Sequence, residues 1–416
     1  MSDMVDGSEE SEFSAAGVDR LPPIVAEQAP LEAEEYEQAF GEKLAQTLDL
    51  DTWQPGENLA DLYGRLQQEV ADAVMQEDRI RSRIRTEVFP RLESRPGAPS
   101  GAGVFQATVS DLERVHRGLL FTGSVEACDG TSSMNETLPI GIAQIGVCLA
   151  SYQGDRGSWV HRMYRRDLRL KGLDPVEETL EILNRRRERS SFEGASRREA
   201  LSELARRGIM AYAERAVLLY KSNAIWRLGH GSPAPYELLT GSGMRDLLAN
   251  SLDLLRELVL EHKKFIFVPS SANRMLLTVG NALFPLEYAV VDTVEDLVTR
   301  IVDRGHYRGE WGDLVGEVRR FAKDVGSKIA VGTFRASSMA PAQAFYAHLD
   351  HVHEAALIAL ADSTLQEHRG FPMLIDLAHT VCQTTFGGDA IRDFTKLAYV
   401  EAGEPYRYMA ERQTRK

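Results

Sequence analysis

The run LPIGIAQIGVCLASYQG, residues 138–154, places the tightest constraint on what this chain can become. With the earlier run GLLFTGSVEA it is apolar enough to supply two central strands of a sheet, and DGTSSMNET reads as their connection. SWVHRMYRRDLRL follows as a third, more exposed strand. A long charged helical stretch comes next, residues 173–224, in which Ser196 and Glu199 have capping-box spacing ahead of its second part. AIWRLGHG then reads as a short strand and RDLLANSLDLLRELVLEHK as a helix. KKFIFVPSS, EYAVVDT, SKIAVGTFRAS and AQAFYAHLDHV are further strands, and FPMLIDLAHTVCQTTF is a closing helix before a polar tail. No internal repeat is found.

Strands interleaved with helices in this order predict an α/β fold with a mixed sheet flanked by helices, the ribonuclease-H-like arrangement. An N-terminal helical segment and a helical insertion add to it. The expected organisation is an acidic disordered leader over 1–34, a helical segment over 35–94 and a Pro/Gly/Ser linker, RPGAPSGAG, over 95–103. An α/β domain spans 104–403, with its basic helical insertion at about 160–207, and a tail covers 404–416. In the N-terminal segment, Leu59, Leu62, Leu66, Val70, Ala73, Ile80, Ile84 and Val88 form one apolar stripe, with Asn58 as N-cap. Such a helix packs on its own domain or mediates self-association.

Composition matters chiefly for what it excludes. No apolar run is long enough to span a bilayer, and the N-terminus lacks the basic and apolar regions of a secretory signal. Three cysteines without a CxxC pair point to reduced thiols in a cytoplasm and against a structural zinc site. The net charge of -14 is concentrated at one end: residues 1–50 hold thirteen acidic side chains against two basic ones. The remaining chain is nearly balanced, so net charge does not exclude a nucleic acid partner.

Three residues stand out as chemical candidates. Asp129 is placed at the end of the first strand, where a carboxylate is well fixed for a divalent ion, although Asp-Gly is also a favoured turn pair. Glu214 falls in the apolar stripe Met210, Glu214, Leu218, where a carboxylate requires a metal or an ion pair, with Arg215 or Arg227 available. His379 shares a helix face with Ile375 and Cys382, the position of a hydrogen-bonded core histidine or of a functional one.

Taken together, CDGTSS, YAERAVLL, WRLGHGS and RGFPMLIDLAH resemble, in that order, the motifs of the NurA nuclease family, over roughly residues 115–400. The resemblance implies a manganese-dependent (or magnesium-dependent) DNA nuclease with 5′-to-3′ exonuclease and single-strand endonuclease activity. It also implies a homodimer acting with the hexameric translocase ATPase HerA in DNA end processing or phage defence. Asp129, Glu214 and His230 would be metal ligands, and His379 would orient or protonate a phosphate oxygen or ligate a second ion. His230 stands where the family pattern has Asp, which removes a negative charge from the metal site. Glu237, seven residues on, is a possible substitute. A catalytically degenerate subunit that binds DNA or docks on the ATPase is the alternative implied.

Thirteen Arg or Lys residues between Arg162 and Arg207, including Arg185, Arg186, Arg187 and Arg189, supply phosphate contacts in this reading. Interleaved Glu residues suit a salt-bridged solvated helix equally well. Tyr164 and Phe192 are candidate base-stacking residues. No Walker lysine motif is present, so ATP hydrolysis would come from the partner.

Overall fold

The computed structural model describes residues 33–53, 59–137, 140–166, 176, 180, 192–271, 274–303 and 309–406. Among them, nine strands form one mixed sheet in the order β1-β7-β8-β9-β6-β5-β2-β3-β4. The strands are β1 (Gly103–Gln106), β2 (Val125–Glu136), β3 (Ile140–Ser151), β4 (Gly154–Arg166) and β5 (Trp226–His230), then β6 (Phe265–Val268), β7 (Glu287–Thr293), β8 (Ile329–Phe334) and β9 (Gln343–His348).

β2, β3 and β4 form an antiparallel meander. Helix α1 (Phe192–Tyr220) carries the chain to β5, parallel to β2, and α2 (Arg245–Arg256) carries it to β6, parallel to β5. Three antiparallel strands followed by two parallel crossovers is the ribonuclease-H-like order. β7, β8, β9 and β1 extend the sheet beyond it by antiparallel pairing.

Alternation along the central strands divides the core. Phe265, Phe267, Cys128, Val147 and Leu149 pack on the side covered by α1 and α2. Trp226, Leu228, Ile266, Val268 and Ala127 pack on the other side, against α3 (Val352–Ser363) and α4 (Met373–Phe386). Each such fully buried large side chain contributes roughly 1.5–3 kcal/mol.

Several expectations are corrected. The GLL part of the first apolar run is helical, because Val109–Val115 continues through His116–Leu120, and β2 begins only at Val125. The DGTSSMNE segment is not a connection but the second half of β2, paired residue by residue with β3. Its polar side chains hide a strand whose backbone is satisfied by that ladder. Ser196 lies inside α1 rather than at a cap, since the helix starts at Phe192. A helix, α5 (Gly388–Glu401), follows α4 inside the expected domain without having been read from the sequence, and β1, α3 and the helices Glu295–Asp303 and Val315–Asp324 were not foreseen either.

The N-terminal helix runs from Leu59 to Arg83 and continues through Val88. Leu66, Val70 and Ile80 of its stripe are more than half exposed, so the stripe does not pack on this chain's own core. What fastens the helix is its C-terminal end, where Arg85 donates from Nη1 and Nη2 to the Glu287 carboxylate at 2.6 and 3.0 Å. Residues 1–32, Asn58 and most of 167–191 lie outside the described residues, as do Arg185, Arg186, Arg187 and Arg189. Among the described residues, no helix is long and apolar enough to cross a membrane.

Candidate functional site

The parallel ladder between β2 and β5 stops at Cys128 and Gly229. The next residue on each strand is Asp129 and His230, at the carboxyl ends of parallel strands where neighbouring strands part, a place where α/β sheets collect ligands. Asp129 is therefore interior to a long strand, not at its end, and its backbone is held against Cys148 of β3.

Asp129 is buried and points to the α4 side of the sheet, with its carboxylate between two imidazoles. Nδ1 of His379, on α4, donates to Oδ2 at 2.6 Å, and Nδ1 of His230 lies 3.4 Å from Oδ1. The His230 ring packs edge-on against Phe371, just before α4, with ring centroids 5.9 Å apart. The Asp129 side chain is 4% exposed, whereas those of His230 and His379 are 33% and 45% exposed. The imidazoles thus form the mouth and the carboxylate the floor.

Glu214 arrives from the opposite side. Neighbouring strand residues face opposite ways, so Gly130 looks toward α1. A Cβ added at Gly130 would meet Oε1 of Glu214 at 2.5 Å. The Asp-Gly pair works as a unit: the first residue supplies a carboxylate and the second makes room for another. Glu214 forms an ion pair with Arg215, and Arg227 instead donates to the carbonyls of Leu218 and Ser222.

Electrostatics join the two faces. Burial raises the Glu214 pKa to about 7, with Arg215 opposing and the Asp129 charge adding to the rise. Burial also pushes Asp129 upward, but the hydrogen bonds and charges of His230 and His379 outweigh it, leaving its pKa below the ordinary value. Burial lowers His230, and the Asp129 interaction overcomes this, so the net shift is upward.

Asp129, Glu214, His230 and His379 are therefore neighbours in space. Glu237 is not among them: it is buried on the Tyr236–Leu239 turn and lies 4.0 Å from Nε of Arg207. Gly130, Phe371 and the bridging role of Arg215 escaped the sequence reading. The Gly after Asp129 and the Phe-Pro before α4 were their only signals.

Among the described residues, no three acidic, imidazole or thiol groups already form a cage for an ion. The donor chemistry nonetheless suits a divalent cation that accepts both oxygen and nitrogen. A Glu held near pH 7 by burial and a neighbouring carboxylate marks a place where added positive charge would be stabilised.

No protein-family model matches the sequence, and no curated protein matches it. The structure is similar to that of the NurA nuclease from Sulfolobus solfataricus, at 8% identity and a TM-score of 0.42, covering 81% of this chain and 98% of that one. It is also similar to a NurA structure at 10% identity and a TM-score of 0.36, covering 77% and 94%. A structure of NurA bound to dAMP and manganese matches at 9% identity and a TM-score of 0.31, covering 73% and 92%. Over most of its length the chain thus resembles NurA nuclease structures, at low sequence identity.

Proposed function

We propose that this chain is a metal-dependent DNA nuclease of the NurA type. The observation that carries the reading is the buried Asp129 carboxylate, gripped by His230 and His379 where β2 and β5 part, with Glu214 within reach of its charge. The order of the four sequence motifs supports it independently.

Asp129, Glu214 and His230 would hold manganese, or magnesium. When bound, such an ion lowers the pKa of water and offsets charge on the phosphodiester. The chain's own contributions follow from geometry. Asp129 fixes both rings through Nδ1, which leaves the half-exposed His379 ring placed to orient or protonate a phosphate oxygen. Burial raises the pKa of Glu214, so its ionised form would gain from a cation placed beside it. Arg185, Arg186, Arg187 and Arg189 would hold strand phosphates without reading sequence.

In this reading the substrate is single-stranded or resected DNA, cut with 5′-to-3′ exonuclease and endonuclease activity. The working form is a cytoplasmic homodimer coupled to a HerA-type hexameric ATPase, in end processing or phage defence.

One observation favours a second reading, a degenerate subunit that binds DNA or docks on the ATPase. Both Asp129 oxygens are engaged by imidazoles and Glu214 is paired with Arg215, so the carboxylates are compensated within the chain. The test is cleavage of labelled single-stranded DNA in manganese, by wild type and Asp129→Ala, with and without the partner ATPase. Metal-dependent cleavage that disappears in the variant supports the nuclease. DNA binding without cleavage in every condition supports the second reading.

A further inference from the structure

We infer that Arg215 is a positioning residue, the strut that sets Glu214 and His230 in place relative to each other. The inference deepens the nuclease reading and rests on it only for the catalytic consequence.

Arg215 is buried in α1, and its guanidinium spans from that helix to the turn leaving β5. Nη1 donates to Oε2 of Glu214 and to the Ala211 carbonyl at 3.1 Å. Nη2 donates to the carbonyls of Ser232 and, at 3.4 Å, His230. Nε donates to the Pro233 carbonyl at 3.3 Å. A guanidinium has five N–H donors, and five acceptors meet it. With its donors committed, Arg215 is not a phosphate clamp despite its charge and its place beside the site.

The acceptors explain the role. One is the Glu214 carboxylate and three are carbonyls of the turn that begins at His230. The guanidinium carbon also lies 5.1 Å from the centroid of Phe267, on β6, which fixes its plane. Helix, strand exit and neighbouring strand therefore meet on one planar group. His379 is outside this arrangement, since α4 reaches Asp129 from the other side of the sheet. Arg215 thus holds the backbone at one of the two histidines that grip Asp129 and not at the other.

This selectivity gives the test. A Lys at 215 keeps the charge but has three donors and no plane, so it cannot span the same acceptors. Ring nitrogen resonances of His230 and His379 are recorded by NMR in wild type, Arg215→Lys and Phe267→Leu, with assignments from single His→Gln variants. The expected result is loss of the hydrogen-bonded Nδ1 signal of His230 in Arg215→Lys with that of His379 retained. Phe267→Leu, which removes only the ring beneath the guanidinium, gives a smaller shift of the same signal. Retention of both signals in Arg215→Lys overturns the inference. Loss of both also overturns it, because a merely structural residue would take the whole site with it.

Where wild type cleaves DNA, Arg215→Lys lowers kcat by about tenfold or more while KM stays within about twofold. A wild type that does not cleave, with selective loss of the His230 signal, leaves this inference standing and removes the nuclease reading.

Discussion

His379 donates from Nδ1 to Oδ2 of Asp129 at 2.6 Å, joining residues 250 positions apart in the chain. An ionised carboxylate only accepts, so this bond fixes the imidazole tautomer and aims the remainder of the ring away from the sheet. Asp129→Asn keeps the shape but removes the charge that both imidazoles are turned toward. DNA cleavage should fall by about 10²-fold or more, the scale of lost proton-transfer and charge effects. The thermal midpoint should fall, because the lowered pKa of Asp129 means that the fold favours its ionised carboxylate between the two imidazoles. Single-turnover cleavage and calorimetry check the pair of outcomes, and a wild-type rate in the variant would take Asp129 out of the site.

Gly130→Ala is expected to damage both stability and function. Its Cβ would sit 2.5 Å from Oε1 of Glu214 and 2.9 Å from Cγ of Met210, so α1 must shift or Glu214 must turn away. Overpacking of this kind costs roughly 1–3 kcal/mol. The denaturant midpoint should drop by a corresponding amount, and cleavage should fall further than the lost folded fraction explains. A midpoint equal to that of wild type would show that the two faces are not packed as tightly as described.

The legibility of this architecture follows from how each element is buried. FIFV of β6 and IGVCLAS of β3 are covered on both faces, so they read as continuous apolar runs. The second half of β2 carries Thr131, Ser132, Ser133 and Asn135, and only the ladder with β3 reveals it as a strand. VHEAALIALADS of α3 is buried almost all around, which erases the one-sided period that identifies a surface helix. For the site, Asp129, Glu214, His230 and His379 were found as residues through motif order. Their arrangement was not, because it depends on where the β2–β5 ladder stops and on which side of the strand each residue points. The contribution of Gly130 is visible only once a Cβ is built there.

Stability should fall as pH rises from about 4 toward 8. Two carboxyls carry the effect: Glu214 and Asp362, each raised to about 7 chiefly by burial. Asp362 accepts from the Tyr152 hydroxyl and from the Leu374 amide, and both bonds oppose the rise. Between the ordinary carboxyl range and pH 7 the folded chain holds protons that the unfolded chain has released, so raising the pH favours unfolding. His230, also raised, adds in the same direction above its ordinary value. Asp129 has the opposite sign: its pKa is lowered, so its contribution is lost as pH falls through its folded value. Thermal midpoints across pH 4–8 should therefore decline toward the alkaline end, and Glu214→Gln and Asp362→Asn should each flatten the slope. A midpoint that climbs across that window would contradict the burial of both groups.

Manganese should stabilise the wild-type fold, and the stabilisation should depend on the same residues as cleavage. A ligand that binds only the folded state adds about 2.7 kcal/mol at a hundred times its dissociation constant. Asp129→Asn and Glu214→Gln should abolish most of that increment, and His379→Gln should leave more of it, because His379 is assigned to the phosphate rather than the ion. His230→Asp supplies the carboxylate that the family pattern places there. It restores a negative charge and a second oxygen at the point where β5 ends, but it also gives up the imidazole contacts with Asp129 and Phe371. The expected balance is a weaker apo fold, a larger manganese increment and faster cleavage. If His230→Asp binds manganese no better than wild type and neither protein cleaves DNA, the compensated carboxylates belong to a subunit that holds DNA or its ATPase without cutting.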